Sequence, residues 1–100
     1  MNVIDQTGFN DIAEILENYE QLKSTYKSKA RLSKYEKTKI LGLRAVQIKN
    51  GAKVLINVAS HITDELDIAN EELKQRKIPF ILERTIGVNK EYWKLEDMVF

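Results

Sequence analysis

The chain has no cysteine, one proline, one histidine and one tryptophan in 100 residues. Without cysteine there is no disulfide framework and no thiolate zinc site, and a reducing compartment fits that composition. The one histidine, His61, falls between an expected strand and an expected helix cap. It reads as a surface loop residue and has no second histidine or thiol to work with in nucleophilic or acid–base chemistry. Charge of one sign is also lacking. Sixteen Lys and Arg face fifteen Asp and Glu, a net charge of +1, so the concentrated positive field that drives counterion release on nucleic acid is missing. No apolar run approaches the ~20 residues that span a bilayer, and Met1–Asp5 lacks the basic-then-apolar pattern of a signal peptide. No glycine-rich phosphate loop or metal-ligand spacing occurs. The acidic neighbours Glu71-Glu72 and Glu96-Asp97 diverge on a helix or strand and read as solvated charge. The expectation is a soluble intracellular chain with no catalytic site, no cofactor, no metal site and no membrane contact.

What is present makes one α+β domain. At this length only about 60–65% of the unfolded surface is buried on folding, so the core is marginal and permanent association with a partner is a common remedy. Phe9, Ile12, Leu16, Tyr19 and Leu22 recur at helical spacing and predict an amphipathic helix over 10–23, inside a polar N-terminal zone, residues 1–31. It either packs on its own domain or docks on a partner. Ser33 followed by Glu36 is a capping box opening a helix that runs to Asn50-Gly51. Lys53–Val58 is β-branched and short, and reads as a strand. Asp64 caps a second helix with Leu66, Ala69 and Leu73 on one face, ending near Lys77 ahead of Pro79. Phe80–Ile86 and Glu91–Leu95 read as strands joined by a turn at Gly87–Lys90. The expected domain, 32–100, packs two main helices on a short, mainly antiparallel three-stranded sheet.

The helix after Ser33 is apolar on every side. At 100° per residue Leu41, Ala45 and Ile48 share one face, Ile40 and Leu43 a second, Gly42 and Val46 a third. A domain this small covers one or two such faces, and the remainder is an interaction surface. Gly42 inside a helix costs about 1 kcal/mol relative to alanine, so it has a packing reason. With Thr38 and Ala45 it forms a small-residue face open to another backbone. Arg44 and Gln47 lie beside Ile40 and offer donors at the edge of this surface. The rival reading is a small DNA-binding regulator whose recognition helix carries Lys34, Lys37, Lys39, Arg44 and Lys49. These charges are spread around the helix rather than gathered on one side.

Three stretches in register carry a resemblance: Ser33–Lys37, Leu41–Ile48, and Ile68-Ala69 through Glu72–Lys74 to Arg76–Pro79. Over about Leu32 to Leu95 the chain resembles the omega-type small subunit of multisubunit DNA-directed RNA polymerases, in its archaeal (subunit K) and eukaryotic (sixth common subunit) form. The resemblance implies a non-catalytic subunit that clamps the largest polymerase subunit, promotes assembly and lies among the other polymerase subunits. It implies no direct sequence-specific nucleic-acid binding. Carried over, the partner-binding positions are Tyr35, Glu36, Ile40, Gly42, Arg44, Ala45, Gln47 and Ile48, with Arg76 and Pro79 fixing the helix-to-strand turn. Ala52-Lys53 and Asp64-Glu65 stand where the family often has Ala-Pro and Asp-Pro. Glu91-Tyr92 directly before Trp93 leaves the last strand's register open, and the first zone here is short and amphipathic where eukaryotic members carry a long, strongly acidic tail. These departures suit a viral or otherwise unusual polymerase. The compartment then follows the polymerase: nucleus for a eukaryote, cytoplasm for an archaeon, cytoplasm or virion for a virus.

Overall fold

A computed structural model describes residues 2–6 and 12–100. The elements are strand β1 (Asn2–Asp5), helices α1 (Ile12–Glu17), α2 (Tyr19–Lys23), α3 (Lys34–Lys49) and α4 (Glu65–Lys74), strands β2 (Phe80–Ile86) and β3 (Asn89–Lys94), and a 3-10 turn over Leu95–Asp97. They form two compact units. Residues 1–32 with 79–100 make a sheet unit, and residues 33–78 make a helical unit inserted between its two segments. The α+β class stands. The two main helices fall in one unit and the three-stranded sheet in the other.

In the sheet unit the strand order is β1-β2-β3, antiparallel throughout. The third strand is β1, which pairs Val3 with Leu82, and not Lys53–Val58. Ile86 pairs with Asn89 across a two-residue turn, and Gly87 there adopts φ +63°, a conformation that favours glycine. The register left open by the sequence places Trp93 opposite Leu82 and Glu91 opposite Arg84. Period-two alternation therefore puts Leu82, Arg84, Glu91 and Trp93 on one face. Across it runs the irregular segment Tyr26–Leu32. Arg84 donates to the carbonyls of Lys29 (2.6 Å) and Arg31 (2.8 Å). Glu91 accepts the backbone N–H of Lys27 (2.8 Å) and Ser28 (3.2 Å) and the Ser28 hydroxyl. Trp93 Nε1 donates to the same Ser28 oxygen at 3.1 Å, and the Tyr26 ring stands edge-on to Trp93.

The expected continuous helix over 10–23 is two short helices broken at Asn18, a poor helix former, while residues 10 and 11 lie outside the described residues. Tyr19 supplies the reason for the second piece. It is buried, donates its hydroxyl to Asp97 (2.6 Å) and accepts the Lys94 N–H (3.1 Å), which ties α2 to β3 and the 3-10 turn. Burial, reinforced by Asp97, pushes its phenol well above the usual tyrosine range. Leu22, expected on the same stripe, is exposed.

In the helical unit α3 begins with the expected capping box: Glu36 N–H donates to Ser33 Oγ (3.1 Å) and Ser33 N–H to Glu36 Oε1 (2.9 Å). It ends in a Schellman motif with Gly51 at φ +97°, Gly51 N–H on Ile48 O and Ala52 N–H on Gln47 O. Asp64 caps α4 through the N–H groups of Leu66 and Asp67. That helix stops at Lys74, three residues before the expected end, because Arg76 at φ +58° closes a second Schellman motif. Its buried face is Ile68, Ala69, Glu72 and Leu73, whereas Leu66, expected on it, is exposed.

Burial alone raises the Glu91 pKa, but its hydrogen bonds from Ser28 and Lys27 and the nearby Arg84 outweigh burial and hold the carboxyl below its ordinary value. A carboxylate whose pKa is depressed on folding contributes stability above its unfolded pKa and loses it as pH falls through the folded value. Acid titration of the wild type should thus show the sheet unit weakening from about pH 4.5 downward. In Glu91→Gln the fold should be weaker at pH 7 and its melting temperature should change less across that acid window. Equal acid slopes in the two proteins would contradict this assignment.

Candidate partner-binding surface

On α3 the 100° step divides the side chains into two opposed stripes. Glu36, Ile40 and Arg44 are buried, and Gln47 beside them is half-buried. Tyr35, Gly42 and Val46 point the other way with Leu43 at their margin, and Tyr35 is 70% exposed, Val46 57% and Leu43 42%. A Cβ added at Gly42 would meet nothing within 4 Å. The glycine is therefore not filled against its own unit, and its helix-propensity cost stands uncompensated there. Thr38 is exposed and bonds back to Lys34 O, while Ala45 and Ile48 are half-buried margins of the same helix. An exposed stripe with a tyrosine, two branched apolar residues and a gap at its centre has the composition of an interface core.

Arg44 does not sit at the edge of this surface. It is 4% exposed and forms a two-pronged ion pair with Glu72, which is 0% exposed. Nε lies 2.6 Å from Oε1 and Nη2 lies 2.9 Å from Oε2. Arg44 also donates to Gln47 Oε1 (3.1 Å) and to the carbonyl of Lys53 (2.9 Å), and Glu72 Oε2 accepts the Leu55 N–H (2.9 Å). The clasp joins α3, α4 and the connection after α3. Planar guanidinium and carboxylate match prong for prong, the geometry that makes such pairs strong. Glu72, expected as solvated charge, is the acidic half of this clasp. The signal was available in the sequence, since Glu72 lies three and four residues after Ala69 and Ile68, on the apolar side of α4.

The remaining expected site residues are dispersed. Glu36 is spent on its cap and Ile40 on the core. Exposed Arg76 holds the left-handed turn after α4, and half-buried Pro79 lies in the sheet unit, where its carbonyl accepts Gln6 N–H at 2.8 Å. Among the described residues no three His, Asp or Glu side chains come together to hold a metal ion, and no helix is long and apolar enough to cross a membrane.

A family model described as RNA polymerase Rpb6 matches residues 27–80, the stretch that contains α3, the clasp and α4. The chain belongs to the RNA polymerase Rpb6 family. The omega-type resemblance read from Ser33 to Pro79 is borne out. Among relatives, subunit 6B of DNA-directed RNA polymerases II and V from Arabidopsis thaliana is 41% identical over 69 residues, covering 68% of this chain and 47% of the relative. A probable subunit RPABC2 of DNA-directed RNA polymerases I, II and III from Caenorhabditis elegans is 49% identical over 53 residues, 53% of this chain and 38% of the relative. The Saccharomyces cerevisiae RPABC2 is 38% identical over 69 residues, 68% and 44%. The chain spans about half the length of the curated relatives it matches.

The clasp is testable apart from any partner. Glu72→Gln or Arg44→Met alone strands a buried charge and should lower stability by about 3–5 kcal/mol. The apolar pair Arg44→Met with Glu72→Leu should recover most of that loss, measured by urea unfolding. Additive losses in the double variant would show that the two residues act independently.

Proposed function

We propose that this chain is a non-catalytic subunit of a multisubunit DNA-directed RNA polymerase, docking on the largest subunit through the outer face of α3. There it holds parts of that subunit together and promotes assembly. The observation that carries the reading is the open stripe of Tyr35, Gly42, Leu43 and Val46 within the Rpb6-family match. Relatives named as polymerase subunits support the other polymerase subunits as neighbours. Residues 32–100 carry the docking function, and 1–31 complete the sheet unit with β1 and the segment 26–31. Arg44, Gln47, Glu36 and Ile40 act from beneath by fixing which face of α3 turns outward, Ala45 and Ile48 border that face, and Arg76 and Pro79 hold the chain's exit from α4. The compartment is that of the polymerase served, the nucleus in a eukaryote. Reading α3 as a DNA recognition helix is weaker than the sequence allowed, because its one arginine is consumed inside the unit.

Gly42→Leu separates fold from docking. In the free protein the side chain enters open space and replaces the poorest non-proline helix former, so the melting temperature should hold or rise. Co-purification with the largest polymerase subunit should drop at least about tenfold, the effect of 1.4 kcal/mol lost at an interface. Unchanged binding with reduced stability would refute the face assignment.

Polymerase saturated with the variant should elongate RNA at nearly the normal rate, since the proposed role ends at assembly. Normal assembly with slow elongation would place α3 at the nucleic acid or active centre.

A further inference from the structure

Lys53–Val58 has the composition of a strand and half the surroundings of one. Exposure alternates residue by residue from Ala52 to Val58, the period of an extended chain, with a bend at Ile56. Yet no residue from 53 to 58 makes a backbone–backbone hydrogen bond among the described residues. What it has instead is the clasp. Arg44 donates to the carbonyl of Lys53, and Glu72 accepts from the N–H of Leu55. In a parallel ladder one residue of the neighbouring strand makes that same pair of bonds, accepting and donating two positions apart. The ion pair thus occupies one edge of the segment as a neighbouring strand would.

The opposite edge has no such substitute. In an extended chain the backbone groups of Val54 and Ile56 point away from those of Lys53 and Leu55, and they have no hydrogen-bond partner among the described residues. Residues 53–57 line a cavity of about 450 Å³ together with Gln75 and Lys77. Its only charged side chains are Lys53 and Lys77, and neither is in an ion pair among the described residues. We propose that this edge accepts an extended, acidic segment of a partner protein, which adds as a strand beside Val54 and Ile56 with its carboxylates toward Lys53 and Lys77. Backbone pairing supplies the affinity and the two ammonium groups supply the choice of sequence. Pairing with a second copy is disfavoured, because it brings the same lysines against each other. The surface is separate from the outer face of α3 and does not depend on the polymerase reading.

The test uses the full chain with two capped hexapeptide probes, alternating Glu-Val and alternating Lys-Val, and amide hydrogen exchange read by NMR. The acidic peptide should slow exchange at Val54 and Ile56 by about tenfold or more. It should leave Leu55, already held by Glu72, unchanged, and the basic peptide should do nothing. Ile56→Pro removes one donor and should abolish the effect, while Ile56→Val should keep it. Lys53→Glu with Lys77→Glu should reverse the preference toward the basic peptide, which keeps the test decisive where the proline variant fails to fold. No slowing at millimolar acidic peptide, equal slowing by both peptides, or protection that appears with protein concentration alone would each overturn the proposal. None of these outcomes bears on co-purification of the polymerase through α3.

Discussion

Between Arg44 on α3 and Glu72 on α4, two full charges sit out of water at 4% and 0% exposure. Taking both from water costs several kcal/mol each, and their attraction offsets this only if every remaining donor and lone pair is satisfied. That condition shapes the helical unit. Gln47 must lie one turn on from Arg44 to take one nitrogen, and the backbone at Lys53 and Leu55 must come within reach of the others. The orientation of α3 follows, because turning Arg44 inward turns Tyr35, Gly42 and Val46 outward. A surface that looks like an apolar accident is the reverse side of a buried polar contact.

The sheet unit repeats the device with other residues. Arg84 and Glu91 face each other across β2 and β3, the arginine holding carbonyls of Lys29 and Arg31 and the glutamate holding the N–H groups of Lys27 and Ser28. In each unit an Arg–Glu couple satisfies backbone groups of an irregular segment, which in the sheet unit pairs otherwise only through the Arg31–Val99 bridge. A chain of 100 residues with 31% charged residues thereby fixes irregular segments that so small a core has little area to bury.

Legibility in the sequence followed the range of the interaction. The capping box at Ser33 and Glu36, the glycine stop at Gly51 and the Asp64 cap are local, and each was read correctly from residues within four positions. Lys53–Val58 was misread as a sheet strand because β-propensity records a willingness to be extended, not the presence of a neighbour. The sheet took β1 instead, a four-residue strand with no alternation to announce it. The sequence marks Arg44 on the helix but gives no sign of its ion pair, because Glu72 lies 28 positions away, beyond any periodicity. Of the surface itself, Tyr35 and Gly42 were singled out, but which of three apolar faces stayed open was decided by the clasp.

The pairing of β1 with β2 joins residues as far apart as Asn2 and Glu83, with the entire helical unit between them. During synthesis β1 is made before the helical unit and its mate β2 after it. Closing so long a loop is entropically unfavourable until its interior has condensed. Residues 33–78 form a compact unit of their own, and a unit that condenses early shortens the effective loop between β1 and β2. The helical unit thus lies in sequence between two strands that pair, and β1 waits without its partner at least until residues 33–78 have been made. Damage to the clasp would lengthen that wait before it touched any finished contact in the sheet.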